Sequence, residues 1–127
     1  KLRMHFGDGV NKKPKITGVN PLDREFLEKV FYKIELNLGN SDYNVTELSS
    51  ELGMSRVHLY RRFKDLTGNT PKDYMIETRL KAAAVLLEEN RYTVSEVAYQ
   101  VGFNTPSNFT ASFKSFYGIS PKEYKSS

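Results

Sequence analysis

Apolar residues begin to recur at a helical period at Leu22 and continue through Phe26, Val30, Ile34 and Leu38, with Leu27 and Phe31 widening the stripe. Residues three and four apart share a helix face, so this spacing predicts an amphipathic helix buried along one side. Asn20-Pro21-Leu22-Asp23 supplies its start: a capping side chain, a proline at the first helical position and an acid in the first turn. Gly39-Asn40 is expected to end it. Residues 1–20 show no such period; three glycines, one proline and a KKPK cluster mark them as a linker or arm, with one folded domain expected over 21–127.

Past that helix the pattern repeats itself. Residues 43–53 (YNVTELSSELG) align with 92–102 (YTVSEVAYQVG), and residues 59–74 (LYRRFKDLTGNTPKDY) align with 109–124 (FTASFKSFYGISPKEY). Ten of the 27 aligned positions are identical, with apolar matched to apolar elsewhere, which marks a duplicated supersecondary unit. The offset grows from 49 to 50 residues between the two blocks, so the second turn is one residue longer.

Each copy reads as a short helix, a glycine turn and a second helix. Asn44-Val45-Thr46-Glu47 and Thr93-Val94-Ser95-Glu96 follow the capping-box pattern, and Gly53 and Gly102 stop the first helices. New caps follow at Ser55 and at Thr105, the latter with Pro106 behind it. The second helices are expected to bury Leu59, Phe63 and Leu66 in one copy and Phe109, Phe113 and Phe116 in the other. The predicted fold class is all-α: helix-turn-helix units at about 44–67 and about 93–117, joined by a long helix at about 71–90 that starts at Thr70-Pro71-Lys72-Asp73. At 1.5 Å per residue that connector spans about 30 Å. Successive major-groove windows on one face of B-DNA lie about 34 Å apart.

Composition narrows the function without choosing it. The 127 residues are 39% hydrophobic and 27% charged, the balance of a folded domain. The longest apolar run, Ala82 to Leu87, is far short of the roughly 20 residues of a membrane span, and no secretory leader is evident, so no membrane contact and a cytoplasmic location are expected. The absence of cysteine excludes disulfides and thiolate metal sites. The whole net charge of +4 sits in residues 1–20; residues 21–127 carry 14 basic and 14 acidic groups. A uniformly basic nucleic-acid glue is thereby excluded, and any contact with DNA must come from local patches.

One such patch lies on the second helix of the first copy. With Leu59 and Phe63 inward, Arg56, Val57, Tyr60, Arg61 and Lys64 point outward, and Arg56 to Lys64 holds four positive charges and no negative one. Arg61 can donate two hydrogen bonds to guanine, and Tyr60 and Val57 can pack on thymine methyls or sugars. Arg56, Arg62 and Lys64 suit phosphates. The corresponding helix of the second copy exposes Ser107, Asn108, Thr110 and Ala111 and has no arginine. Asn108 can pair with an adenine edge, and Ser107 and Thr110 with a base or a phosphate; equally, these residues can serve as caps and solvent-facing positions. Helix starts at Asn44, Thr93 and Ser120 offer free N–H groups to phosphate. Arg79 on the connector is expected to pair with a nearby acid, and His58 to be a half-buried packing or phosphate-contacting residue. Glu47, Asp73, Glu96 and Glu123 have capping duties, and no Gly-rich phosphate loop, metal-ligand spacing or nucleophile triad is present. The expectation is therefore double-stranded DNA binding, with no catalysis, cofactor or metal. The rival reading is a helical module whose basic face docks an acidic protein.

The segments VTELSSELGMSRVHLYRRFKDLTGNTPKDY, RLKAAAVLL and VSEVAYQVGFNTPSNFTASFKSFYGISPKEY resemble the DNA-binding domain of the AraC/XylS family of bacterial transcription regulators, from about Asp23 to Tyr124. That resemblance implies about seven helices in two homeodomain-like subdomains, with both second helices entering adjacent major grooves. The family's base-contacting positions fall on Val57, Tyr60 and Arg61, and on Pro106, Ser107, Asn108 and Ala111. Thr110 and Lys114 are expected to contact the DNA backbone. Pro106 and Ala111 depart from the polar or basic residues often found there. Family members mostly activate transcription beside RNA polymerase. The leader with DREFLEKVFYKIELNL is similar to the link between a receiver domain and its output in two-component regulators. A sensor or receiver domain on the same native chain is expected.

Overall fold

The computed structural model describes residues 19–126, and among them every regular element is an α-helix. In chain order these are α1 (Pro21–Leu36), α2 (Val45–Glu51), α3 (Arg56–Thr67), α4 (Pro71–Glu89), α5 (Val94–Gln100), α6 (Pro106–Tyr117) and α7 (Pro121–Ser126). The leader expected as an arm lies almost wholly outside the described residues.

Local chemistry sets most of the boundaries. Asn20 Oδ1 accepts from the Asp23 N–H at 2.8 Å, so α1 starts where its cap and proline place it. It ends at Leu36, before the Gly39-Asn40 stop expected from the sequence. The Asn37 side chain donates to the Lys33 carbonyl at 2.8 Å and its own N–H points at the same oxygen, so the helix end is satisfied early. Leu38 consequently sits half-buried in a turn. Asn44 Oδ1 caps α2 by accepting from the Glu47 N–H at 3.1 Å. The reciprocal capping box forms at α5, where Thr93 and Glu96 bond each other's N–H at 3.1 and 2.8 Å, and again at α7 between Ser120 and Glu123.

The duplication builds two cores. Phe31, Leu48, Leu59, Phe63 and Met75 lie in the first, under α1; Leu80, Leu87, Val97, Phe109, Phe113 and Tyr124 lie in the second. Helix α4 serves both, giving Met75 to one and Leu80, Ala83, Ala84 and Leu87 to the other. One expected core residue is displaced. Phe116 remains 40% exposed, whereas its neighbour Tyr117 is 6% exposed. The physical reason is register: Phe109, Phe113 and Tyr117 follow one another at four-residue steps, and Tyr117 meets Phe113 at 4.6 Å and stacks near Tyr124 of α7. In the first copy Leu66 is partly buried against its core, as its position suggested.

Arg79 also departs from expectation. Its partners are backbone carbonyls, not acids: Nε donates to Leu38 at 3.2 Å, and an Nη donates to Asn40 at 3.0 Å and to Tyr43 at 3.2 Å. The turn after α1 directs these carbonyls at α4, and burial lowers the guanidinium pKa from its ordinary value.

Three half-buried or buried phenols give the fold a pH signature. Burial raises the pKa of Tyr43, Tyr74 and Tyr117, the last to about 12, with the Glu88 charge adding to the effect on Tyr117. The folded chain keeps these protons after the unfolded chain, titrating near pH 10, has released them. Stability is therefore full below pH 10 and falls as pH rises towards about 12. Urea midpoints across that window are expected to drop, and Tyr117→Phe is expected to flatten the drop. A wild-type midpoint constant through the window would contradict the burial argument.

Candidate nucleic-acid interface

The second helices of the duplicated units, α3 and α6, are held by equivalent parts. Ser55 Oγ accepts from the His58 N–H at 3.1 Å, and Thr105 Oγ1 accepts from the Asn108 N–H at 3.1 Å, so each helix starts on a hydroxyl cap. Leu59 and Phe63 anchor α3, and Phe109 and Phe113 anchor α6, all fully buried. The turn before each helix runs through a glycine at positive φ, 69° at Gly53 and 92° at Gly102, a conformation that glycine adopts without strain.

Anchoring the inner face fixes the outer one. Arg56, Val57, His58, Tyr60, Arg61 and Lys64 of α3 are exposed. Val57 and Tyr60, three positions apart and so on one face of α3, are 65% and 48% exposed. Lys64 Nζ lies 6.0 Å from the Tyr60 ring centre. On α6, Ser107, Asn108, Ala111 and Lys114 are exposed, and Pro106 and Thr110 are half-buried. Asn44 and Thr93 are exposed at the starts of α2 and α5, each with its side-chain oxygen occupied by a cap bond. His58, expected to be half-buried, stands in solvent because the third position of α3 faces away from Leu59's side.

Arg62 sits apart from this set. Its Nη2 lies 3.1 Å from Asp23 Oδ1, and its guanidinium carbon sits 4.1 Å over the Phe26 ring. It ties α3 to α1, flat on an aromatic face and paired to a carboxylate. The structure thus uses as a brace a residue expected on phosphate, because position 62 lies on the flank of α3 turned to α1.

Helices α3 and α6 open onto one cleft of roughly 1240 Å³. The first unit lines it with Asn44, Arg56, Val57 and Tyr60, and the second with Phe103, Asn104, Asn108 and Ser112. Helix α4 supplies Lys72, Met75, Ile76 and Arg79 between them. Lys72 and Asn104, both exposed, were not singled out from the sequence. The signal for Lys72 was its place directly behind Pro71, at the positive end of the connector; Asn104 sits in the longer second turn.

Duplicated helix-turn-helix units with exposed second helices on either side of one cleft define a helix-turn-helix DNA-binding domain. Comparison with known proteins agrees. A helix-turn-helix domain family matches residues 48–127, and the chain belongs to that family, in its AraC type. It is 34% identical over 125 residues to a histidine kinase of Formosa agariphila, a match covering 98% of this chain and 9% of the kinase. Its fold is similar to the C-terminal domain of the two-component response regulator yesN of Fusobacterium nucleatum, at 32% identity and a TM-score of 0.77, covering 80% of this chain and 98% of that one. It is also similar to the DNA-binding domain of the global transcriptional factor AdpA, solved with a target DNA. That match has 35% identity and a TM-score of 0.72, covering 79% of this chain and 88% of that one. The chain spans between 9% and 38% of the length of the first five curated relatives it matches. Among the described residues, no helix is long and apolar enough to cross a membrane.

Proposed function

We propose that the chain is the output domain of a larger, signal-responsive transcription regulator and reads a bipartite duplex site with both recognition helices. The observation that carries this reading is the shared cleft: Val57 and Tyr60 of α3 and Asn108 of α6 line the same opening. Arg61 takes a guanine edge, with Val57 and Tyr60 on neighbouring thymine methyls or sugars. Ser107, Asn108 and Ala111 meet bases in the second groove. Arg56, Lys64, Lys114 and Thr110 hold phosphates, as do the helix starts at Asn44 and Thr93. Arg62 leaves that group for its place against Asp23. Because α6 lacks arginine, α3 supplies most of the base discrimination and α6 mostly backbone grip and shape reading.

The regulatory context is read from relatives. A histidine kinase and a two-component response regulator both carry a similar domain, which supports a receiver or sensor domain on the native chain. Activation beside RNA polymerase is the outcome expected of such a domain. A native polypeptide no heavier than the 14.6 kDa of this chain would contradict that context.

The test is selection of bound sequences from a random duplex library at physiological salt. Two enriched half-motifs about one helical turn apart are expected, with the logarithm of the affinity falling linearly against log salt by about 0.9 per phosphate contact. No enrichment once salt is raised would favour the rival reading, a basic face that docks an acidic protein.

A further inference from the structure

The two units meet at a second place besides the covalent connector. Gly102 ends α5 in a buried position, and a Cβ built on it would stand 2.3 Å from the Leu38 carbonyl oxygen and 2.9 Å from Arg79 Nε. A Cβ on Gly39 would stand 3.0 Å from the Gln100 carbonyl oxygen. The turn of the second unit is therefore seated directly on the loop that follows α1, backbone against backbone. Its counterpart in the first copy behaves differently: a Cβ on Gly53 meets nothing within 4 Å. Both glycines need positive φ, but only Gly102 also needs the space.

Arg79 closes this contact. It lies on α4 between Met75, which belongs to the first core, and Leu80, which belongs to the second. Its Nε donates to the Leu38 carbonyl, and its Nη2 donates to those of Asn40 and Tyr43. A planar guanidinium can serve three fixed carbonyls at once, which an ammonium on a flexible stem cannot do with the same geometry.

We infer that the junction of Arg79, the Leu38–Asn40 loop and Gly102 sets the angle and separation of the two recognition helices, so that both half-motifs are read by one rigid body. Arg79 and Gly102 are positioning residues for DNA reading: they act through α3 and α6. This rests on the bipartite reading proposed above. Without the junction, the halves would remain folded on their own cores and tethered by α4, but could swivel where α4 passes from one core to the other.

The test has one arm without DNA and one with it. In the first, backbone residual dipolar couplings of the full 127-residue chain are fitted separately for α2–α3 and for α5–α6. The wild type is expected to give one alignment tensor and Arg79→Gln two. In the second, the selected duplex is compared with a version one base pair longer between its half-motifs, which moves the second half by about 3.4 Å and turns it by about 35°. The wild type is expected to lose at least about tenfold in affinity on that insertion. Arg79→Gln is expected to lose about tenfold on the native spacing and under about threefold more on insertion. Gly102→Ala is expected to behave likewise, and Gly53→Ala to keep the wild-type insertion penalty. Should Arg79→Gln fail to fold, the Gly102→Ala and Gly53→Ala pair decides. A single tensor and an unchanged insertion penalty in the folded variants overturn the inference. If the wild type itself shows no preference among duplexes, the DNA reading is what fails, and the tensors still decide the junction.

Discussion

Arg61→Ala is expected to weaken binding to the selected duplex by about 5- to 150-fold, the equivalent of about 1–3 kcal/mol, and to abolish a G·C requirement in one half-motif. The residue is exposed on the outer face of α3, and among the described residues no carboxylate forms an ion pair with it. Its guanidinium is thus available in a helix whose inner face is locked by Leu59 and Phe63. Binding to scrambled duplexes should weaken far less, since a phosphate contact would lower affinity for every sequence alike. Asn108→Ala is expected to have the smaller effect on base preference; equal losses from the two variants would reverse the ranking of α3 over α6. Arg62→Ala gives the contrast within the same helix. Its pair with Asp23 and its seat on Phe26 make it a stability variant, with base preference retained in the folded fraction.

Phe113→Ala is expected to destabilise the chain by about 3–5 kcal/mol. The side chain is fully buried, with ring centroids of Phe109, Tyr117 and Tyr124 at 5.6, 4.6 and 5.5 Å. A loss of that size is a large part of the roughly 5–15 kcal/mol that holds a domain folded. Because the two cores are separate clusters, hydrogen exchange should accelerate first across α5, α6 and α7, with α1 to α3 protected for longer. Simultaneous and equal loss of protection in both halves would show that the cores melt as one.

Most of the architecture was legible because it is specified locally. Asn20, Asn44, Thr93 and Thr105 each bond an N–H three residues on, so their meaning is complete within one turn of helix. The duplication doubled that information, since Gly53 could be checked against Gly102 and Phe63 against Phe113, 49 and 50 residues away. The outward row of α3 followed from the same periodicity. What could not be read depends on partners distant in sequence. Arg62 finds Asp23 39 residues earlier, and Arg79 finds Leu38 41 residues earlier. No periodicity distinguishes an arginine that reaches a phosphate from one that braces a neighbouring helix. The choice of Tyr117 over Phe116 was hidden similarly, because Tyr124 on α7 is what completes that corner of the core.

Helix α4 belongs to both halves, and this restricts how such a chain can change length. One residue added between Met75 and Leu80 would rotate everything downstream by about 100° about the helix axis and advance it by about 1.5 Å. Insertions and deletions there would re-aim one reader against the other even if both hydrophobic interiors survived. The extra residue of the second turn lies outside every helix and so leaves the phase of α4 unchanged. Length variation among chains of this architecture should therefore gather in turns and avoid the connector.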